Sequence, residues 1–355
     1  MIDYGVPPEA EETEVMLFGP GYGEALAVHL GDGVWLLVDS CIDPEADAPA
    51  SAAYLAAIGV RPDQVRVIVA SHWHDDHVRG ISQLTAAYPE ADFLISAVFD
   101  DREAAAFLAA YSGSSSSGLS RGTKELYEIV TARNAVIPAL HRSIVFEDAL
   151  NGRQVRVTAL SPVPAAFSRA IAHMAGYVPT KGDPINHVPE LRPNIEAVVL
   201  RIDFGDDAVL LGADLEEHAA FGWSAIVADS WSGSRRAATA YKVSHHGSCT
   251  GDCGEIWASL LQPEPIACMT PFMKGRQRLP SNADKARMKQ NTPHAYISSA
   301  ASRRPKMDHD QLKRLGDICK DIALADSSFG AVRIRRRIDD TTPWNVELFG
   351  AAQRL

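Results

Sequence analysis

The 355-residue chain has no run of about 20 apolar residues, which argues against a transmembrane helix. Its start, MIDYGVPPEAEETEV, lacks the basic residues and apolar stretch of a signal peptide. Cysteine is scarce and odd in number: Cys41, Cys249, Cys253, Cys268 and Cys319 are scattered and form no disulfide framework. The expectation is a cytoplasmic protein with reduced thiols and no membrane part. No repeat of solenoid period is present. Net positive charge is also missing. The chain stands at −11, which speaks against a tight, nonspecific DNA binder. The charge is uneven, however. Tyr241 to Arg337 holds 17 Lys/Arg against 9 Asp/Glu, a net of +8, leaving −19 for the rest. A basic face beside a site for an anionic substrate is one consequence; a solvated surface is the plainer one.

What is present is a β-rich pattern. EVMLFGPGYGEALAVHLGDGVWLLVDSC reads as two or three strands with glycine turns, ending at Asp39. Ala52 to Val60 reads as a short helix stopped by Gly59 and Pro62. Val65 to Ser71 is a near-continuous apolar strand suited to burial on both faces. A helix, RGISQLTAAYP, and a strand, ADFLISAVF, follow, giving a β-α-β rhythm. Residues 100–134 are helical at both ends around a Gly/Ser-rich, flexible insertion at 111–122. Two strands flank the Asn151-Gly152 turn. EAVVLRIDFGDDAVLLGAD is a hairpin ending at Asp214, and ATAYKVSHHGS is a strand ending in two histidines. EPIACMT and HAYISSA are further strands, DHDQLKRLGDICKDIALA a helix, and GAVRIRRRI and WNVELFG closing strands. The pattern continues throughout, so the expectation is one domain, 1–355, with β-rich halves at about 15–190 and 191–350.

The chemistry concentrates in SHWHDDHVRG, Ser71 to Gly80, directly after the buried strand. His72 and His74 can reach one ion together, while Asp76 and His77 follow on a turn and suit a second. Two divalent ions about 3.5–4 Å apart can hold a hydroxide and clamp a substrate oxygen. Four residues do not close two sites, so other strand ends must contribute. Asp214 can bridge two cations, although it is also a good helix N-cap. His245 and His246 end a strand, and Asp39 can orient a ligand histidine by accepting its second N–H.

These motifs, SHWHDDH, VDS, LLGAD and KVSHHGS, resemble the successive motifs of the metallo-β-lactamase fold superfamily. GRQVRVTALSP, NIEAVVLRIDFGDDAVLLGADLE, YKVSHHGS and SSFGAVRIRRRID look most like the hydrolase domain of ComEC-type DNA-uptake proteins. The resemblance covers roughly Val15 to Gly350. It implies an α/β fold, the αββα four-layer sandwich, with the site at one edge between two sheets. It implies that His72 and His74 hold the first ion, Asp76 and His77 the second, and that Asp214 bridges. His245 would complete the second site, with His246 as the fallback, and Asp39 would support from behind. Zn²⁺ is the expected metal and Mn²⁺ the alternative.

The chain departs from the resemblance in two places. No histidine stands convincingly before EAVVLRI to complete the first ion's shell: His141, His173 and His187 are poorly placed, and Asn194 occupies the neighbourhood. Leu279 precedes Pro280 where the group usually has histidine. The first site is therefore expected to be the weaker one.

The expected activity is metal-dependent hydrolysis of a phosphodiester in nucleic acid or a nucleotide. Asp76 would orient the attacking group and accept its proton, and His246 would neutralise developing negative charge. The alternatives are hydrolysis of a carbonyl substrate (lactone, thioester, amide or β-lactam), or a metal-binding subunit with degraded catalysis beside a separately encoded protein partner. Trp73 is expected either to wall the pocket or to pack on the surface. Cys249 and Cys253 read as ordinary thiols, and His218 as a helix-face residue without a role. Arg333, Arg335 and Arg337 share one face of the last basic strand, with Arg336 on the other, and could meet phosphates or line an exposed edge.

Overall fold

Alternating apolar residues place two sheets face to face. The computed structural model describes residues 2–19, 22–112, 121–132, 136–179, 193–229, 231, 235–274, 277–299, 329–337 and 343–355, with backbone alone at 103, 112 and 121–123. The strands are β1 (Glu12–Gly19), β2 (Ala25–Gly31), β3 (Val34–Val38), β4 (Val65–Ala70), β5 (Asp92–Ser96) and β6 (Ile137–Ala139). They continue as β7 (Ile144–Leu150), β8 (Arg153–Ala159), β9 (Leu200–Phe204), β10 (Asp207–Leu211) and β11 (Ala238–Lys242). The last are β12 (Leu261–Met269), β13 (Ala295–Ile297), β14 (Gly330–Arg337), β15 (Asn345–Gly350) and β16 (Gln353–Arg354). One sheet has the order β15-β14-β1-β2-β3-β4-β5-β6, the other β16-β13-β12-β11-β10-β9-β8-β7.

The period-2 pattern divides each strand between two cores. Leu17, Val28, Leu36 and Val69 of the first sheet meet Val157, Ile202, Val209 and Ala240 of the second in the central layer. The alternate residues Met16, Phe18, Trp35 and Ile68 face outward under Tyr54 of α1 (Ala50–Ala57) and Leu84 of the helix Ile81–Ala87. Leu210, Tyr241 and Met269 face outward under the short helix around Trp223 and Ile226. The result is the αββα four-layer sandwich. Each fully buried side chain of this size contributes about 1.5–3 kcal/mol, and Trp35, Trp223 and Tyr54 are all buried.

Strand direction positions the site. β3 to β6 run parallel, as do β10 to β13. Their C-terminal ends therefore lie along shared sheet edges, where α/β folds place ligands. Asp39 follows β3, His72 follows β4, Asp214 follows β10, His245 and His246 follow β11, and Thr270 follows β12.

Several expectations change here. The basic strand β14 is neither an exposed edge nor a free phosphate-binding face, because it lies between β1 and β15. Arg333 pairs with Glu347, Arg335 with Glu14, Arg337 with Glu9, and Arg336 with Asp207 of the other sheet. No helix begins directly after Asp214, so it caps none. Most of the insertion expected at 111–122 and the whole helix expected from Asp308 to Ala325 lie outside the described residues. Among the described residues, no helix is long and apolar enough to cross a membrane.

Candidate metal centre

Three strand ends bring four ligand-type side chains together. Asp76, His77, Asp214 and His246 each offer an atom within 4.8 Å of all the others. His246 Nε2 lies 3.2 Å from Asp76 Oδ2 and 3.3 Å from Asp214 Oδ2. His77 Nε2 lies 3.4 Å from Asp214 Oδ2 and 3.7 Å from Asp76 Oδ2. A tetrahedral cation with ligand bonds of about 2.0–2.1 Å needs donor separations of about 3.4 Å. His77 Nε2 is buried and makes no hydrogen bond of ordinary geometry. The donor set, its spacing and this bare nitrogen fit one divalent cation.

Each of three histidines is held from behind. The buried Asp39, in the left-handed region at φ 61, receives Ser71 N–H on Oδ1 at 2.7 Å. Its Oδ2 receives the Ser71 hydroxyl and His77 Nδ1–H, both at 2.7 Å. Ser71 Oγ, having given its hydrogen to Asp39, accepts from His72 Nδ1 at 3.0 Å. On the other side, Thr270 Oγ1 donates to Glu24 Oε2 at 2.5 Å and accepts from His246 Nδ1 at 2.9 Å. This network fixes a proton on Nδ1 of His72, His77 and His246, so that Nε2 of each ring faces the cluster and is the nitrogen a cation would take, displacing its proton where the ring is charged.

Glu24 is balanced by Lys242. Its Nζ lies 2.5 Å from Glu24 Oε1, 2.8 Å from the carbonyl of Ala213 and 3.7 Å from Asp214 Oδ1. Glu24 N–H also donates to the Asp76 carbonyl at 2.8 Å. One buried ion pair thus touches the surroundings of His246, Asp214 and Asp76. Sequence reading missed Glu24 and Thr270. Lys242 carried a signal, a charged residue closing an otherwise apolar strand.

His72 and His74 stand beside this group, His72 Nε2 lying 3.2 Å from His74 Nδ1. Burial first, then neighbouring imidazoles, lower the proton affinity of His72. Burial also lowers that of His74 and outweighs the pull of Asp76 and Asp214. Both stay neutral and available as donors. His246 behaves oppositely: burial would lower it, but Asp214 above all, with Asp76 and Glu24, lifts it to about 9. His77 is raised too, by Asp214, Asp39 and Asp76 against burial. Burial would raise Asp214, but His246 and His77 outweigh it and hold the carboxyl well below the usual range.

The group contains His246, the fallback, and not His245, the residue that the resemblance favoured. His245 and His246 are consecutive left-handed residues, φ 46 and 52, and this backbone splays their side chains apart. His246 turns inward and is buried. His245 turns outward, its Nδ1 2.7 Å from Thr250 Oγ1 and its Nε2 3.4 Å from Asn194 Nδ2. Asn194, near where a third donor for the first ion was sought, keeps a buried Oδ1 without a hydrogen-bond partner. His141 is turned to Leu160 O and Asp229, and His173 packs against Tyr177. His187 lies outside the described residues. His218 sits on a turn against Phe221, not on a helix.

Residues 18–106 match the metallo-beta-lactamase superfamily. This stretch runs from the end of β1 through β5 and contains the His72–His77 cluster. The chain is similar at 17% identity to MEM-A1, a subclass B3 metallo-beta-lactamase from a soil metagenome library, over 69% of this chain and 83% of that one, TM-score 0.36. It is similar at 14% to the metallo-beta-lactamase fold protein YhfI from Bacillus subtilis, over 64% and 70%, TM-score 0.34. A Cronobacter sakazakii metallo-beta-lactamase with a HARLDQ motif matches at 16%, over 56% of this chain, TM-score 0.34; the chain spans 59% of that protein. No curated protein matches.

Trp73 serves neither of its expected roles. It is buried against Phe99 and Phe107 and donates Nε1–H to Glu196 Oε1 at 2.9 Å. Glu196 is 3% exposed, and burial, opposed by the Trp73 bond, lifts its carboxyl from 4.5 to about 7. The folded state therefore holds this proton more tightly than the unfolded chain. Stability should fall as pH rises from 4.5 and level off above 7. Glu196→Gln keeps an oxygen for Trp73 and removes the titration. At pH 8 it is expected to be more stable than the parent by up to about 3 kcal/mol, with no gain below pH 5. Denaturant unfolding at both pH values checks this; an equal difference at the two would refute it.

Proposed function

We propose that the chain is a divalent-metal-dependent hydrolase of phosphodiesters, acting on nucleic acid or a nucleotide. The observation that carries the hydrolase reading is the buried group of Asp76, His77, Asp214 and His246, with the histidine Nδ1 atoms anchored from behind. His72 and His74 would add donors for a second ion, bridged by Asp214, with the weaker shell on their side. Zn²⁺ suits nitrogen and carboxylate donors, with Mn²⁺ as the alternative. Bound divalent cations supply Lewis acidity, lowering the pKa of water and polarising a substrate oxygen.

The chain's own residues do the rest. Asp39, through Ser71 and directly, keeps His72 and His77 as Nδ1–H tautomers, and Glu24 does so for His246 through Thr270. Asp76 stays ionised at neutral pH, since His77 and His246 outweigh its burial. Its carboxylate is thus available to orient the attacking group and accept a proton. Support for the phosphodiester comes from the motif resemblance of the C-terminal half to ComEC-type hydrolase domains.

The test compares bis-p-nitrophenyl phosphate, single-stranded DNA, an acyl lactone and nitrocefin, with Zn²⁺ or Mn²⁺ and with chelator. Chelator-sensitive hydrolysis of the phosphodiesters alone is expected. Turnover of the lactone or nitrocefin in preference would replace the substrate class. Metal uptake without any hydrolysis would favour a metal-binding subunit working with a protein partner.

A further inference from the structure

The wall beside His246 is aromatic and has no assigned work. After Thr270 the chain forms a small hairpin, Phe272–Lys274 against Gln277–Leu279, with Phe272 opposite Leu279. The Phe272 ring lies 5.2 Å from the His246 ring and 5.6 Å from that of Tyr22. Lys274 Nζ stands 5.8 Å from the Tyr22 ring centroid and is exposed. Tyr22, Phe272 and Leu279 are all half-buried, so they belong neither to a core nor to open solvent. The Tyr22 phenol makes no hydrogen bond to another described residue. Its proton is held more tightly through burial first and then through the charges of Asp76 and Asp75, which puts the ring within electrostatic reach of the metal centre.

An aromatic pair with an apolar partner and a cation beside it suits a flat ring attached to a negative group. Bases stack on such rings regardless of sequence, and the cation meets the phosphate. We propose that Tyr22, Phe272 and Leu279 form a subsite for the nucleobase of a phosphodiester substrate, with Lys274 beside its phosphate. This rests on the phosphodiester reading and narrows it to nucleotide-bearing substrates. Tyr22 is a specificity residue here. Phe272 has a second task, because it also packs on His246.

Adenosine monophosphate and ribose 5-phosphate differ by the base alone, so their binding to the metal-loaded protein, measured by calorimetry, isolates the subsite. The monophosphate is expected to bind about 10-fold or more tighter. Tyr22→Ala should erase most of that preference while leaving ribose 5-phosphate within about 2-fold, and Tyr22→Phe should keep it. Equal affinity for the two ligands in the parent protein, or a preference untouched by Tyr22→Ala, would overturn the subsite. So would a loss with Tyr22→Phe as large as with Tyr22→Ala, since the ring would then not be the recognising group. Absence of phosphodiester hydrolysis with the base preference intact would remove the proposed reaction and leave the subsite. Hydrolysis without any base preference would do the reverse.

Discussion

His246→Ala is expected to lose metal at the four-residue group and to lower kcat/KM on a phosphodiester by on the order of 10³-fold. His245→Ala is expected to keep the metal and lose less than about 10-fold. The difference comes from direction, since the two residues are adjacent. His246 Nε2 lies within 3.3 Å of both Asp76 and Asp214 carboxylates, whereas His245 is turned to Thr250 and Asn194. Outer partners of a metal ligand cost about 10–100-fold when removed, and a ligand itself costs more. Metal content and steady-state rates of the two variants check this together. The reverse order, with His245→Ala the more damaging, would mean that the left-handed pair is arranged otherwise when metal is bound.

The second large effect is on stability. Lys242→Met should destabilise the fold by about 3–5 kcal/mol, because Glu24, fully buried, is left without its cation. Adding Glu24→Gln to Lys242→Met should restore at least about half of that, since no buried charge then remains. Denaturant unfolding of the two single variants and the double variant gives the coupling directly. Losses that simply add would show that Glu24 and Lys242 do not depend on each other. The loss should also be present in chelator, because the pair is an internal one. Thr270→Val should cost less stability, about 1–3 kcal/mol, by leaving Glu24 Oε2 and His246 Nδ1–H buried without their hydroxyl partner. It should weaken metal binding by about 10–100-fold, because His246 Nδ1 loses the oxygen that fixes its tautomer.

Much of the fold was legible because its signals are local. Val65 to Ser71 read as a doubly buried strand, and β4 has Val67 and Val69 in the central core and Ile68 and Ala70 in the outer one. The Asn151-Gly152 turn joins β7 and β8, with both residues at positive φ. The His72–His77 cluster and Asp214 were legible because metal-type side chains at strand ends are rare without a task. What stayed hidden depends on chain crossings. Glu24 and Thr270 are 246 residues apart and meet only because their strands end at the same rim. The order of His245 and His246 could not be read, because it is set by two backbone angles. The arginines of β14 looked like a basic surface. Only the sheet order shows that Glu12, Glu14 and Glu347 lie on the neighbouring strands. Trp73 reads equally as a pocket wall or as surface packing, yet it is buried against Phe99 and Phe107, a contact that only the fold brings about.

The most direct test of the central claim is anomalous scattering at the zinc edge from crystals grown with Zn²⁺. A strong peak bounded by Asp76, His77, Asp214 and His246 is predicted, with a second, weaker peak beside His72 and His74. No peak within that group, or a sole peak held by His245, would contradict the account.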